Sequence, residues 1–334
     1  QRSFLSSELL VVKASVLTRH RTVEVQERSI PVPGTGMVRV KVMAVGLCGS
    51  DVHYFHEGCI GPTRMQYPFV LGHEPAGIID ATGKGVTIDP GTRVAIEPAM
   101  PCRKCEYCRA GRQNICPNTL FLGTPPTDGI FCQYRLMPEA NCLPIPSALS
   151  MVEAAMLEPL AVGLHAVGIS GLSAGNTAAI FGAGPIGLVT LLAARAAGAA
   201  KVLMVEPVAE RREMALDLGA DAAIDAARED PTLCIQSLSS GRGVDIAFEA
   251  AGDQQSISQC CAVARPGGKV ILIGSPRTLD LAIPMHECRR KELLMQHVRR
   301  SNGETHQAIE LALNSKMSLR RLATHFFSLE EVSK

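Results

Sequence analysis

Cys102, Cys105, Cys108 and Cys116 fall in the run CRKCEYCRAGRQNIC, residues 102–116. Four thiolates at such spacing can close a tetrahedral zinc site, and a site filled by four protein ligands keeps no position for a substrate. Its work would be to pin a loop that has few other contacts; the other reading is four unligated thiols. A second set of metal-type donors is dispersed: Cys48 in GLCGSDVHYF, His73 and Glu74 in VLGHEPAG, and Glu158 in MLEPLAVG. Three protein ligands of mixed S, N and O type would leave a fourth position for water or substrate, with Glu158 inside the set or just outside it. Spacing alone leaves open the alternative that these are separate structural side chains.

A third constellation has a different chemistry. Gly182-Ala183-Gly184-Pro185-Ile186-Gly187 follows the apolar run TAAIF and opens an apolar stretch, and a further run, KVLMV, is followed by Glu206. In a strand, turn, helix, strand unit, Gly182 permits the tight turn and Gly184 lets backbone approach a pyrophosphate. Gly187 lets helix pack closely on strand, and Pro185 and Ile186 lead into the helix whose N-terminus faces the negative charge. Glu206 stands where an acid would bind the adenosine ribose hydroxyls, which favours NAD over NADP. Arg211 and Arg212 keep a ribose phosphate open as the alternative.

These residues need two kinds of scaffold. Up to about Leu149, Val alternates with polar residues amid Gly, Pro and the clustered cysteines, as in GTGMVRVKVMAVG, which predicts an irregular β-rich unit. From about Leu157, Ala-rich helical stretches alternate with TAAIF, KVLMV, VDIAF and KVILI, which predicts a parallel sheet with crossover helices. A helix is expected from Glu304 to Asn314. The length of 334 residues with 46% apolar and 19% charged residues suits two domains with ample core.

A net charge of +1 without a basic stripe argues against nucleic acid as a partner, and no apolar stretch is long enough to predict a membrane span. The residues from Arg2 through Leu9–Val12 carry no cleavage pattern, so no secretion signal is expected. Twelve cysteines, clustered in a long chain, read as metal-binding and intracellular rather than as a disulfide scaffold, and the expected location is the cytoplasm.

In order along the chain, CGSDVHYF, LGHEPAG, PCRKCEYCRAGRQNICP, TPPTDG, LEPLAVGLHA and GAGPIGLVTLLAA resemble the motifs of zinc-containing medium-chain dehydrogenases, specifically the polyol branch with sorbitol and xylitol dehydrogenases. The resemblance implies an α/β protein: a GroES-like β-rich catalytic domain over residues 1–156, completed by 299–334, and a Rossmann doubly wound parallel sheet over 157–298. It implies one catalytic and one structural Zn2+, with Cys48, His73 and Glu74 as ligands of the first, and NAD as cofactor. Glu158 takes a place near the catalytic zinc, and Asp51 would orient His73 or cap the helix that follows. Ser50 and His53 match a proton relay, whereas His56 matches no functional position.

Tyr54, Phe121, Glu158 and Arg299 match substrate-lining positions, with Arg300 standing where Tyr is usual. The activity implied is hydride transfer from a secondary hydroxyl of a polyol to NAD, giving a ketose, in a homo-oligomer, dimer or tetramer. Relatives commonly continue further than the EEVSK ending, so a final strand is expected to be missing from this sequence. Threonine or a simple secondary alcohol is the alternative substrate, and a crystallin-like relative the non-enzymatic alternative; the full set of candidate ligands argues against the latter.

Overall fold

The computed structural model describes residues 11–278, 280–314 and 319–332; the readings at Arg2 and Leu9 lie outside them. The chain divides into two units. One takes in the described residues up to Cys102, Pro117–Met156 and those from Ala323 onward; the other takes in Arg103–Cys116 and the described residues of Leu157–Leu322. The family resemblance assigns everything from 299 on to the first unit. The described residues between 299 and 322 group instead with the second, where the helix Thr305–Asn314 packs against the helix Leu157–Ser170.

The first unit is built on an antiparallel five-stranded sheet in the order Tyr134–Pro138, Met37–Gly46, Glu74–Thr82, Arg93–Ile96, Cys142–Pro144. Alternation in MVRVKVMAVG explains its second strand: Val38 and Val40 are fully buried, while Arg39 faces the other way and holds Asp80 at 2.6 Å. Those valines pack with Ile79, Val94, Ile96 and Met137 in one core. A smaller sheet, Thr22–Ser29, Val11–Arg19 and Phe69–Val70, covers a second core around Val16, Leu17 and Phe69.

Register makes the site. Gly46, the last residue of one strand, pairs with Glu74, the first of the next, so Cys48 just past one end meets His73 just before the other.

The second unit carries six parallel strands in the order Ala222–Ile224, Lys201–Val205, Thr177–Phe181, Val244–Glu249, Ala264–Leu272, Leu294–His297. Strand order reverses between Thr177–Phe181 and Val244–Glu249, the place where such doubly wound sheets open a crevice beyond their strand ends. The central strands are short, apolar and buried, since helices cover both faces.

Candidate metal centres and dinucleotide turn

Cys48, His73 and Glu74 each offer a ligand atom, all within 4.8 Å of one another. His73 and Glu74 are buried and Cys48 partly so. The missing side chain of Gly46 makes room for the carboxylate: a Cβ there would stand 2.1 Å from Glu74 Oε2 and would push that carboxylate out of its present position. Burial pushes the Cys48 thiol and the Glu74 carboxyl up. Burial also works against a charged His73 ring, yet the Asp51 carboxylate holds that ring well above the ordinary histidine value. Such a set is held for a cation, whose charge would offset the desolvation of thiolate and carboxylate.

Asp51 organises these donors. It sits in the first turn of the helix Gly49–Glu57 and is fully buried; Cys48 N–H donates to its Oδ2 at 3.1 Å and Gly72 N–H to its Oδ1 at 3.0 Å. The sequence leaves helix cap and His73 orienter as alternatives, and the carboxylate is placed for both. His73 Nδ1 lies 3.6 Å from Asp51 Oδ1, an ionic contact longer than a hydrogen bond, and the atom is otherwise unpartnered among the described residues. Nε2 is on the Ser50 side, 3.4 Å from its Oγ. A histidine with one nitrogen toward a buried carboxylate, set beside a thiol and a second carboxylate, has the form of a zinc ligand. The structure therefore fits zinc at this set.

Among the other residues the sequence singled out, Phe121 lies against His73 with ring centroids 5.4 Å apart. His53 is half-buried one turn after Ser50, and Tyr54 is buried in the core around Val16 and Phe69. His56 is exposed, as expected. Glu158, in the first turn of Leu157–Ser170, and Arg299 belong to the second unit.

The four thiols Cys102, Cys105, Cys108 and Cys116 also lie within 4.8 Å of one another. The Cys105 and Cys116 sulfurs are 3.7 Å apart, close to the edge of about 3.8 Å that a ZnS4 tetrahedron has at Zn–S of about 2.3 Å. Sequence reasoning missed what ties this loop to the residues near Arg299. Asn114 N–H donates to Asn302 Oδ1 at 3.2 Å, Asn302 Nδ2 to Gly111 O at 2.8 Å, and Asn114 Nδ2 to Arg299 O at 3.1 Å. Asn114 Nδ2 also faces His165 Nε2 at 3.3 Å. Partners nearly 190 residues apart leave no local pattern to read.

The dinucleotide turn follows its glycines. Gly182 has φ +97, a conformation that an L side chain resists, and a Cβ on Gly187 would stand 1.8 Å from Gly182 O. A Cβ on Gly184 would meet nothing within 4 Å, which leaves its backbone open to a ligand. The helix Pro185–Ala196 starts there with proline in its first turn and Ile186 next in line. Glu206 is buried beside this turn: Ala183 N–H donates to its Oε2 at 2.7 Å and Val208 N–H to its Oε1 at 3.1 Å. Arg211 Nη1 lies 3.8 Å from Glu206 Oε1 and its side chain is 55% exposed, so it partly balances that carboxylate. Arg212 is turned away, onto the Glu206 and Pro207 carbonyls and Asp225.

Two family models match this chain: the alcohol dehydrogenase GroES-like domain over residues 34–147 and the zinc-binding dehydrogenase domain over 185–314. Sorbitol dehydrogenase of Bacillus subtilis (strain 168) is 38% identical over 323 residues, covering 96% of this chain and 91% of that protein. The chain belongs to the zinc-binding dehydrogenases. A second relative, the probable D-xylulose reductase A of Arthroderma otae, is 36% identical, covering 92% of this chain and 88% of that protein. Among solved structures, a candidate zinc-binding dehydrogenase of Sinorhizobium meliloti 1021 bound to NADP matches with TM-score 0.87 and 34% identity, covering 93% of this chain and 91% of that one. The two-part α/β architecture of this zinc-binding dehydrogenase is thus the family's own.

No helix among its described residues is long and apolar enough to cross a membrane.

Proposed function

We propose that this zinc-binding dehydrogenase oxidises a secondary hydroxyl of a polyol to a ketose, with NAD as hydride acceptor. The observation that carries the reading is the buried thiol, imidazole and carboxylate set, in a chain that also holds a complete dinucleotide turn. Sorbitol and xylulose in the names of its relatives supply the substrate class.

Cys48, His73 and Glu74 would hold the catalytic zinc, with Glu158 completing or flanking the set, and Cys102, Cys105, Cys108 and Cys116 the structural one. Zinc, when bound, lowers the pKa of a coordinated hydroxyl so that it ionises near neutral pH. Ser50 and His53, one turn apart on the helix Gly49–Glu57, would carry the released proton outward. Tyr54, Phe121, Glu158 and Arg299 are the residues assigned to the substrate. For the cofactor, Gly182, Gly184 and Gly187 with Pro185 and Ile186 would receive the pyrophosphate, and Glu206 the adenosine ribose hydroxyls. Its buried carboxylate would repel a ribose phosphate, hence NAD rather than the NADP of the Sinorhizobium structure, with Arg211 at the rim. A homo-oligomer, dimer or tetramer, in the cytoplasm completes the proposal.

The test is NADH formation with NAD or NADP on sorbitol, xylitol, arabinitol, inositols, threonine and 2-butanol, with and without chelator. Chelator-sensitive turnover on a polyol with NAD is the expected result. Turnover on threonine or 2-butanol alone would move the substrate class, and chelator-insensitive turnover would remove zinc from the reaction.

A further inference from the structure

The first unit contains a cavity of about 310 Å³ that no step of the dehydrogenase reaction uses. Strand residues 12–14, the 28–31 segment and residues 132–136 form its walls, and three of its lining residues are cations: Lys13, Arg28 and Arg135. At a volume of about ten waters it can take a small polyatomic anion together with part of its hydration.

The cations are incompletely satisfied. Arg135 donates from Nη2 to the Asp128 carbonyl at 2.8 Å, but its Nε is buried and has no hydrogen-bond partner among the described residues. A buried guanidinium N–H without an acceptor is rare and costly. Arg28 reaches Asp128 Oδ2 only at 3.4 Å, well beyond a close charge-assisted bond, and the other carboxylate oxygen is taken by Val70 N–H at 2.9 Å. Lys13 is paired at 2.9 Å with Glu330, both half exposed. Three cations thus meet three carboxylates, Glu330, Asp128 and the Glu27 that faces Lys13 across the strand pair; Asp128 is shared with the backbone, and none of the three reaches Arg135 Nε. Half-buried Cys132 lines the same cavity as the two arginines.

We propose that Arg28, Arg135 and Lys13 form a binding site for a small oxyanion of the phosphate class. Planar guanidinium forks match the oxygens of such an anion, and a bound anion would supply the acceptor that Arg135 Nε lacks. The proposal does not depend on the substrate reading, since every residue in it lies in the β-rich unit and outside both metal sets.

Isothermal titration of the zinc-loaded, NAD-saturated protein with inorganic phosphate, at fixed ionic strength against chloride, tests it. One saturable site is expected, weakened at least about tenfold in Arg135→Gln and Arg28→Gln, and less in Lys13→Gln, whose side chain is partly exposed. Absence of saturable binding to the unmodified protein would overturn the site. So would equal affinity in all three variants, or an equal response to chloride. If Arg135→Gln does not fold, Lys13→Gln decides: affinity unchanged by that exposed substitution removes the site, and a severalfold loss supports it.

Discussion

His165 Nδ1 lies 2.8 Å from Glu304 Oε1, and this pair fixes which way the ring faces the Cys-rich loop. A proton on Nδ1 is given to the carboxylate, so Nε2 accepts from Asn114, whose second amide proton goes to Arg299 O. One histidine tautomer thus holds the segment around Asn114 against the segment around Arg299. The paired His165 in turn holds the Glu304 carboxyl below its usual range, against the burial that opposes its charge. Asn114→Ala is expected to lower stability by about 1–2 kcal/mol and to raise hydrogen exchange in residues 103–116 and 299–302 together. Exchange rising in only one of the two segments would show that they are not linked.

Asp51→Asn keeps the shape of the residue that joins Cys48, Gly72 and His73 while removing its charge. Zinc affinity at one of two sites should fall about 10–100-fold in chelator competition, with zinc at the other site unchanged. Cys105→Ser should give the complementary result: loss of the structural zinc equivalent and of thermal stability, with Cys48, His73 and Glu74 still able to hold the other.

Gly187→Ala would put a methyl group onto the Gly182 carbonyl. The helix Pro185–Ala196 has to shift, at about 1–3 kcal/mol by the usual cost of overpacking. The observable is a lower melting temperature together with a raised Kd for NADH by fluorescence titration. Gly184→Ala has open space around it and should weaken NADH binding with little loss of stability.

Glu206→Ser removes the carboxylate that Ala183 and Val208 N–H groups hold beside the turn. With like-charge repulsion lifted and Arg211 released, the NADP to NAD preference should rise at least about tenfold in kcat/KM. An unchanged ratio would mean that Glu206 does not meet the ribose.

Asp245 gives the pH prediction. It is buried at the base of the second unit's sheet, and its burial alone would raise the carboxyl. Arg242 and Arg265 at 2.7 Å each, with the Thr177 N–H and hydroxyl at 2.9 Å, instead hold it far below the usual range. A folded pKa below the unfolded value of about 3.9 means that the stabilisation is complete above that pH and is lost as pH falls toward the folded value. Asp245→Asn should therefore cost about 1–3 kcal/mol near neutrality and flatten the acid limb of the stability curve below about pH 4, read by urea midpoints across pH.

Much of this was legible in the residues because it is local. The glycine turn, the four-thiol run and the alternating valines of Met37–Gly46 each sit within one short window, where spacing translates directly into geometry. Cys48, His73 and Glu74 were ambiguous by spacing, since only the pairing of Gly46 with Glu74 brings them together. Asn114 and Asn302 were not legible at all, since their partners lie far along the chain and nothing beside them in sequence marks the meeting; for Asp245 only Arg242 is a local partner, and Arg265 and Thr177 come from 20 and 68 residues away. The grouping of the helix Thr305–Asn314 with the second unit was not legible either, since that helix takes its place from a partner more than a hundred residues earlier.

The hydrogen atom that serves as the side chain of Gly46 carries a separate lesson. It donates no electron pair and touches no reactant, yet any heavier substituent would collide with Glu74 Oε2. A side chain at this position would act on the metal set by displacing Glu74, so a catalogue of damaging substitutions drawn up only from donor atoms would overlook it.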